Sequence, residues 1–147
     1  MKYKHTNIIS KDWERLVEFY VTVFQCKIVP PVRQQSGTWL DKGTGLTNAQ
    51  LSGAHLLLPG HGEKGPTLEI YQYQEIKPQG AVPANQRGFG HLAFEVDEVD
   101  AVLEQVLQNG GQSLGEVSRK ALPGLGELTF VYARDPEGNI IELQSWN

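Results

Sequence analysis

The stretch "GFGHLAFEVDEVDAVLEQV", residues 88–106, decides how this chain is read. An apolar strand pattern opens on His91, with Leu92, Phe94 and Val96 on one side. It then passes into a helical pattern that begins with Asp97, Glu98 and Asp100. The same order stands 86 residues earlier in "KHTNIISKDWERLVEFYVTVF", residues 4–24, with His5 in the place of His91. Trp13, Leu16, Val17 and Tyr20 give the i, i+3, i+4, i+7 spacing of an amphipathic helix. Val99, Leu103 and Val106 occupy matching places in the second copy, and Val102 fills the fourth. Asp12 and Glu14 stand where Asp97, Glu98 and Asp100 do, at helix starts, where carboxylates cap free N–H groups and suit the dipole. "NGG" at 109–111 predicts a glycine C-cap, a signal that "FQC" lacks in the first copy.

The two copies also end alike. "GPTLEIYQY" (65–73) and "GNIIELQSW" (138–146) read as strands entered from turns, and "DPEGN" is a strong turn signal. Glu69 and Glu142 match at an offset of 73, so the first copy carries 13 extra residues. These fall between Cys26 and His55, within "PVRQQSGTWLDKGTGLTNAQLSG", where Trp39 suggests a lid. Short strands are expected around Gly37–Leu40, Ser52–Leu58, Gln112–Val117 and Leu128–Ala133. The fold class is α+β, with two tandem βαβββ modules over residues 1–76 and 88–147. Residues 77–87, which carry Pro78, Gly80 and Pro83, form the linker.

Composition narrows the function classes. The 147 residues are 39% hydrophobic and 20% charged, ordinary for a globular protein able to bury a core. A net charge of −4 offers no basic surface for nucleic acid or anionic membrane. No apolar run approaches membrane-spanning length, and the N-terminus lacks a secretory apolar core. A single cysteine, Cys26, makes no internal disulfide and fits a cytoplasmic protein.

Side chains alternate along a strand, so parity sorts them by face. His5, Asn7 and Ile9 oppose Thr6, Ile8 and Ser10; His91, Ala93 and Glu95 oppose Leu92, Phe94 and Val96. Glu69, Tyr71 and Tyr73 oppose Leu68 and Ile70; Glu142, Gln144 and Trp146 oppose Ile141 and Leu143. One face of each sheet suits a helix. The other holds His5, Glu69, His91 and Glu142. Each alone reads as structural, but His recurs at one repeat position and Glu at another. The four are the candidate metal ligands. Two imidazoles and two carboxylates suit Ni, Co, Zn, Mn or Fe with open coordination positions. His55 and His61 have no counterparts: His55 is expected to pack on its strand, and His61 to be exposed in a turn.

In "GFGHLAFEVDEVDAV" and "DPEGNIIEL" the chain resembles the vicinal oxygen chelate superfamily, from "KHTNII" to "NIIELQSW". That group includes glyoxalase I, methylmalonyl-CoA epimerase, extradiol dioxygenases and bleomycin-resistance-like binding proteins. The resemblance implies an eight-stranded open cup-shaped sheet with helices outside, and ligand positions at His5, Glu69, His91 and Glu142. Bacterial glyoxalase I carries an arginine four residues after the first ligand, where this chain has Ile9. The expected function is a metal-dependent isomerase or lyase that chelates vicinal oxygens of a small substrate. Glu142 or Glu69 would remove a proton next to a carbonyl, with Asn7, Tyr71, Tyr73, Gln144 and Trp146 as pocket walls. An Fe or Mn ring-cleaving dioxygenase and a ligand-sequestering protein are the alternatives. A homodimer is expected, with ligands drawn from one chain or from two.

Overall fold

Strand β1, His5–Ile9, forms where alternation buries Ile8 and leaves His5, Asn7 and Ile9 exposed. The computed structural model describes Met1–Asn147, which divides into two units, Met1–Gln79 and Gly80–Asn147.

In the first unit, helix α1 spans Trp13–Phe24 and buries Leu16, Val17, Phe19, Tyr20, Val23 and Phe24. Asp12 caps it, its Oδ1 accepting from the Arg15 N–H at 3.2 Å. Strands β2 (Lys27–Ser36), β3 (Gln50–Leu57) and β4 (Thr67–Tyr73) complete a sheet of order β1-β4-β3-β2. β1 and β4 run parallel; the other pairs are antiparallel. Leu56, Leu68 and Ile70 are fully buried. Each contributes roughly 2 kcal/mol by leaving water.

In the second unit, β5 (Leu92–Glu95), α3 (Val99–Gln108), β6 (Gln112–Ser113), β7 (Ser118–Leu122), β8 (Gly126–Arg134) and β9 (Ile140–Trp146) follow in order. The sheet order is β5-β9-β8-β6, with β7 also on β8 and β5 parallel to β9. α3 buries Val99 and Val106 and half-buries Val102 and Leu103. Its N-cap residue, Glu98, makes no side-chain capping bond. None of the helices is long and apolar enough to cross a membrane.

Both units have the βαβββ order, with two departures from expectation. The strand expected at Gly37–Leu40 is instead the start of helix α2, Thr38–Thr44, and the strand is the preceding Lys27–Ser36. Two prolines hide β2 from a strand reading, because proline cannot donate to a ladder. They are tolerated because β2 is an edge strand whose register shifts between Val29 and Arg33, across Pro30 and Pro31. α2 is closed by Gly45 at φ 72° and tied by Asp41, which accepts from the Asn48 and Ala49 N–H groups at 3.1 and 2.7 Å. The 13-residue surplus is thus largely a helix and its return, with Leu40 packed beside Ala49, Leu51 and Tyr71.

Of the strand expected at Gln112–Val117 only Gln112–Ser113 forms, as β6, and Ser118–Leu122, β7, is a further strand beyond it, which makes nine strands rather than eight. The Leu114 and Gly115 N–H groups both point at the Tyr132 carbonyl, at 2.9 and 3.1 Å. Two residues oppose one there, and the ladder breaks as at a bulge.

Candidate functional site

Glu69 sits near the middle of β4, with Asn7 of β1 opposite on one side and His55 of β3 opposite on the other. His5 is two residues before Asn7, so it shares their face. His5 Nδ1 lies 3.1 Å from Glu69 Oε1, and His55 Nε2 lies 3.3 Å from the same oxygen. Glu69 is buried, while the Asn7 amide donates to its backbone oxygen at 3.4 Å.

The second unit repeats the register. Glu142 of β9 pairs with Ala93 of β5 and Tyr132 of β8, and His91 stands two residues before Ala93. His91 Nε2 lies 2.8 Å from Glu142 Oε2, and its ring lies against Tyr132 with centroids 5.0 Å apart. The turn before β9 is built on buried Asp135, whose Oδ1 accepts from the Glu137 and Asn139 N–H groups at 2.9 and 3.0 Å. Gly138, at φ 92°, supplies the left-handed residue that "DPEGN" predicts.

Of the predicted ligands, the structure brings His5 to Glu69 and His91 to Glu142. Within each pair, the donor chemistry fits a divalent cation. Nitrogen and oxygen ligands lie about 2.0–2.2 Å from such an ion, which puts two neighbouring ligands about 3 Å apart. The His5–Glu69 and His91–Glu142 separations of 3.1 and 2.8 Å have that spacing. No group of three or more His, Cys, Asp or Glu side chains is gathered as a cation cage. Thr67, two residues before Glu69 on the same face, has a buried hydroxyl without a hydrogen-bond partner.

The predicted pocket residues have varied surroundings. Tyr71 is buried and its hydroxyl is 2.5 Å from His55 Nε2. Trp146 is exposed and its indole N–H donates to Gln144 Oε1 at 3.2 Å. Tyr73 lines two grooves of about 610 and 920 Å³ beside Ser36, Gln50 and Gln74. None of the four candidate ligands lines either groove. Trp39, expected in a lid, is exposed on α2. His61 is exposed, as its turn implies.

His55 is the residue that the sequence reading passed over. It does not merely pack on its strand; it touches both Glu69 and Tyr71. Burial pushes its imidazole below the ordinary histidine value, outweighing the upward pull of Glu69, and Arg33, His5 and Lys4 push the same way as burial. Burial, then Glu69, push the Tyr71 phenol up. Strand parity on β3 was the available signal, but it needed the register that sets His55 opposite Glu69.

The profile of the Glyoxalase/Bleomycin resistance protein/Dioxygenase superfamily matches residues 2–143. The chain belongs to that superfamily. Lactoylglutathione lyase of Schizosaccharomyces pombe is 28% identical over 98% of the chain, and the chain covers 47% of that protein. The chain therefore spans about half the length of this curated relative. The lactoylglutathione lyase of Escherichia coli is 26% identical over 97% of the chain and 91% of its own length. Among solved structures, a glyoxalase family protein from Bacillus cereus has a TM-score of 0.79 at 19% identity, covering 99% of this chain and 93% of that one. A fosfomycin resistance protein from Listeria monocytogenes, crystallised with Mn(II) and a dihydroxypropylphosphonic acid, has a TM-score of 0.57 at 17% identity, with coverage of 99% and 93%.

Proposed function

We propose that this chain is a divalent-metal isomerase or lyase of glyoxalase type, acting on a small substrate with two adjacent oxygens. The observation that carries this reading is the His–Glu pair met twice at one register, His5–Glu69 and His91–Glu142. His5 and Glu69 of the first unit and His91 and Glu142 of the second are the proposed ligands, drawn from one chain or from two, for one ion of Ni, Co, Zn, Mn or Fe. When bound, it supplies Lewis acidity that polarises a substrate carbonyl. Glu142, loosened from its ligand role, would accept the proton from the neighbouring carbon, and Glu69 would stay a ligand. Glu142 is half-buried, with His91 Nε2 2.8 Å from its Oε2. Ile9, exposed on β1, offers no charge to a glutathione carboxylate, which favours a smaller substrate than lactoylglutathione lyases take.

Screening metal-loaded protein against 2-oxoaldehydes, 2-hydroxyacyl compounds and catechols, with solvent-proton exchange as the readout, tests the reaction class. Glu142→Gln keeps an oxygen donor but loses proton affinity. It should retain much of the metal and lose turnover by roughly a hundredfold or more, with Glu69→Gln losing less. Equal, modest losses in both variants with metal retained would remove the carboxylate base. Oxygen uptake with a catechol, without proton exchange, would replace the isomerase with a ring-cleaving dioxygenase.

A further inference from the structure

The two glutamates have different neighbours at equivalent positions. Across from Glu69 on the antiparallel side stands His55; across from Glu142 stands Tyr132. Glu69 Oε1 is therefore met by two imidazoles, at 3.1 and 3.3 Å. For Glu142 the imidazole contact is His91, and Tyr132 lies against the His91 ring.

His55 is itself held. Its Nε2 has the Tyr71 hydroxyl at 2.5 Å as well as Glu69 Oε1, and the two rings meet edge to face with centroids 5.7 Å apart. Tyr71 can lie there because its cross-strand neighbour is Gly53. A Cβ on Gly53 would stand 2.5 Å from the Tyr71 ring and 2.0 Å from the Ile70 carbonyl oxygen. An imidazole nitrogen carries either one hydrogen or one lone pair. A carboxylate oxygen only accepts whereas a phenol takes either role, so a hydrogen on Nε2 is the arrangement that suits its approach to Glu69 Oε1 at 3.3 Å beside the Tyr71 hydroxyl. A nitrogen that donates a hydrogen bond cannot also bind a metal.

We propose that His55, anchored by Tyr71, is a positioning residue that fixes the Glu69 carboxylate as a static metal ligand. The metal role of Glu69 rests on the proposed function; the hydrogen-bond assignment does not. Ligating carboxylates held by outer hydrogen bonds lose about 10–100-fold in metal affinity when that partner is removed.

The test is a Co(II) titration of the full chain, read by affinity and by the visible d–d spectrum. His55→Ala should weaken Co(II) binding about 10–100-fold and alter the spectrum. His55→Gln, whose amide can still donate to Glu69, should restore most of both, and Tyr71→Phe should fall between. Side-chain ¹⁵N shifts of the unmutated, metal-free protein should show His55 protonated at Nε2, whatever the folding of the variants. Unchanged affinity and spectrum in His55→Ala would overturn the inference, as would a bare Nε2. Loss of Co(II) as complete as in Glu69→Ala would also overturn it, by making His55 a ligand. Those results leave the metal reading standing if His5→Ala still abolishes binding. Failure of the parent protein to bind Co(II) would remove both.

Discussion

At the residue scale, burial sets chemistry. Cys26 follows α1 with almost no exposed surface, and burial pushes its thiol up to about 12 from the ordinary 9.0. Thiolate, the reactive form, is therefore scarce near neutral pH, and a reagent cannot reach the sulfur. Native protein at pH 8 should resist iodoacetamide for as long as it stays folded, and should be labelled at one site per chain in urea. Mass spectrometry reads both states; rapid labelling of folded protein would contradict the packing around Cys26. The same scale shows what a single sequence can convey. His5, Glu69, His91 and Glu142 were legible because each has a counterpart at a fixed offset. His55 has none, since Tyr132 fills its place. Its contact with Glu69 depends on how β3 is registered against β4, which residue type alone does not reveal.

At the element scale, α1 and α3 differ in how they end. α1 stops at Gln25, which takes a left-handed φ of 55° so that the Cys26 N–H can reach the Tyr20 carbonyl at 3.3 Å. In the second copy Gly110 takes φ 88° without a side-chain penalty, and the Gly111 N–H reaches the Val106 carbonyl at 2.9 Å. A side chain held in the left-handed region costs roughly 1–2 kcal/mol. Gln25→Gly should therefore stabilise the protein by about 0.5–1 kcal/mol in urea unfolding, net of the greater freedom glycine has when unfolded. No gain, or a loss, would show that Gln25 has a packing role that outweighs its backbone strain. Both helices themselves were readable from apolar spacing. β2 and α2 were not: edge prolines masked the first, and the second depends on Asp41 reaching ahead to Asn48 and Ala49.

At the scale of the whole molecule, one βαβββ pattern appears twice. Each copy presents an imidazole and a carboxylate, on a parallel strand pair with the same register, β1 with β4 and β5 with β9. Duplication explains why the fold was legible from "GHLAF" and "KHTNII": the repeat marks the ends of each copy, where both match. It also explains why the middle was not, since the insertion and the additional strand β7 lie where the copies have diverged. The proposed function rests on His5, Glu69, His91 and Glu142 as ligands of a divalent metal. The most direct measurement is metal content and affinity of the purified chain beside His5→Ala, His91→Ala and His61→Ala. Loss of a ligand should weaken binding beyond the roughly 10–100-fold expected for an outer hydrogen-bond partner. His5→Ala and His91→Ala should each strip the ion, while His61→Ala should keep it. Metal held by both ligand variants as tightly as by the parent would contradict it.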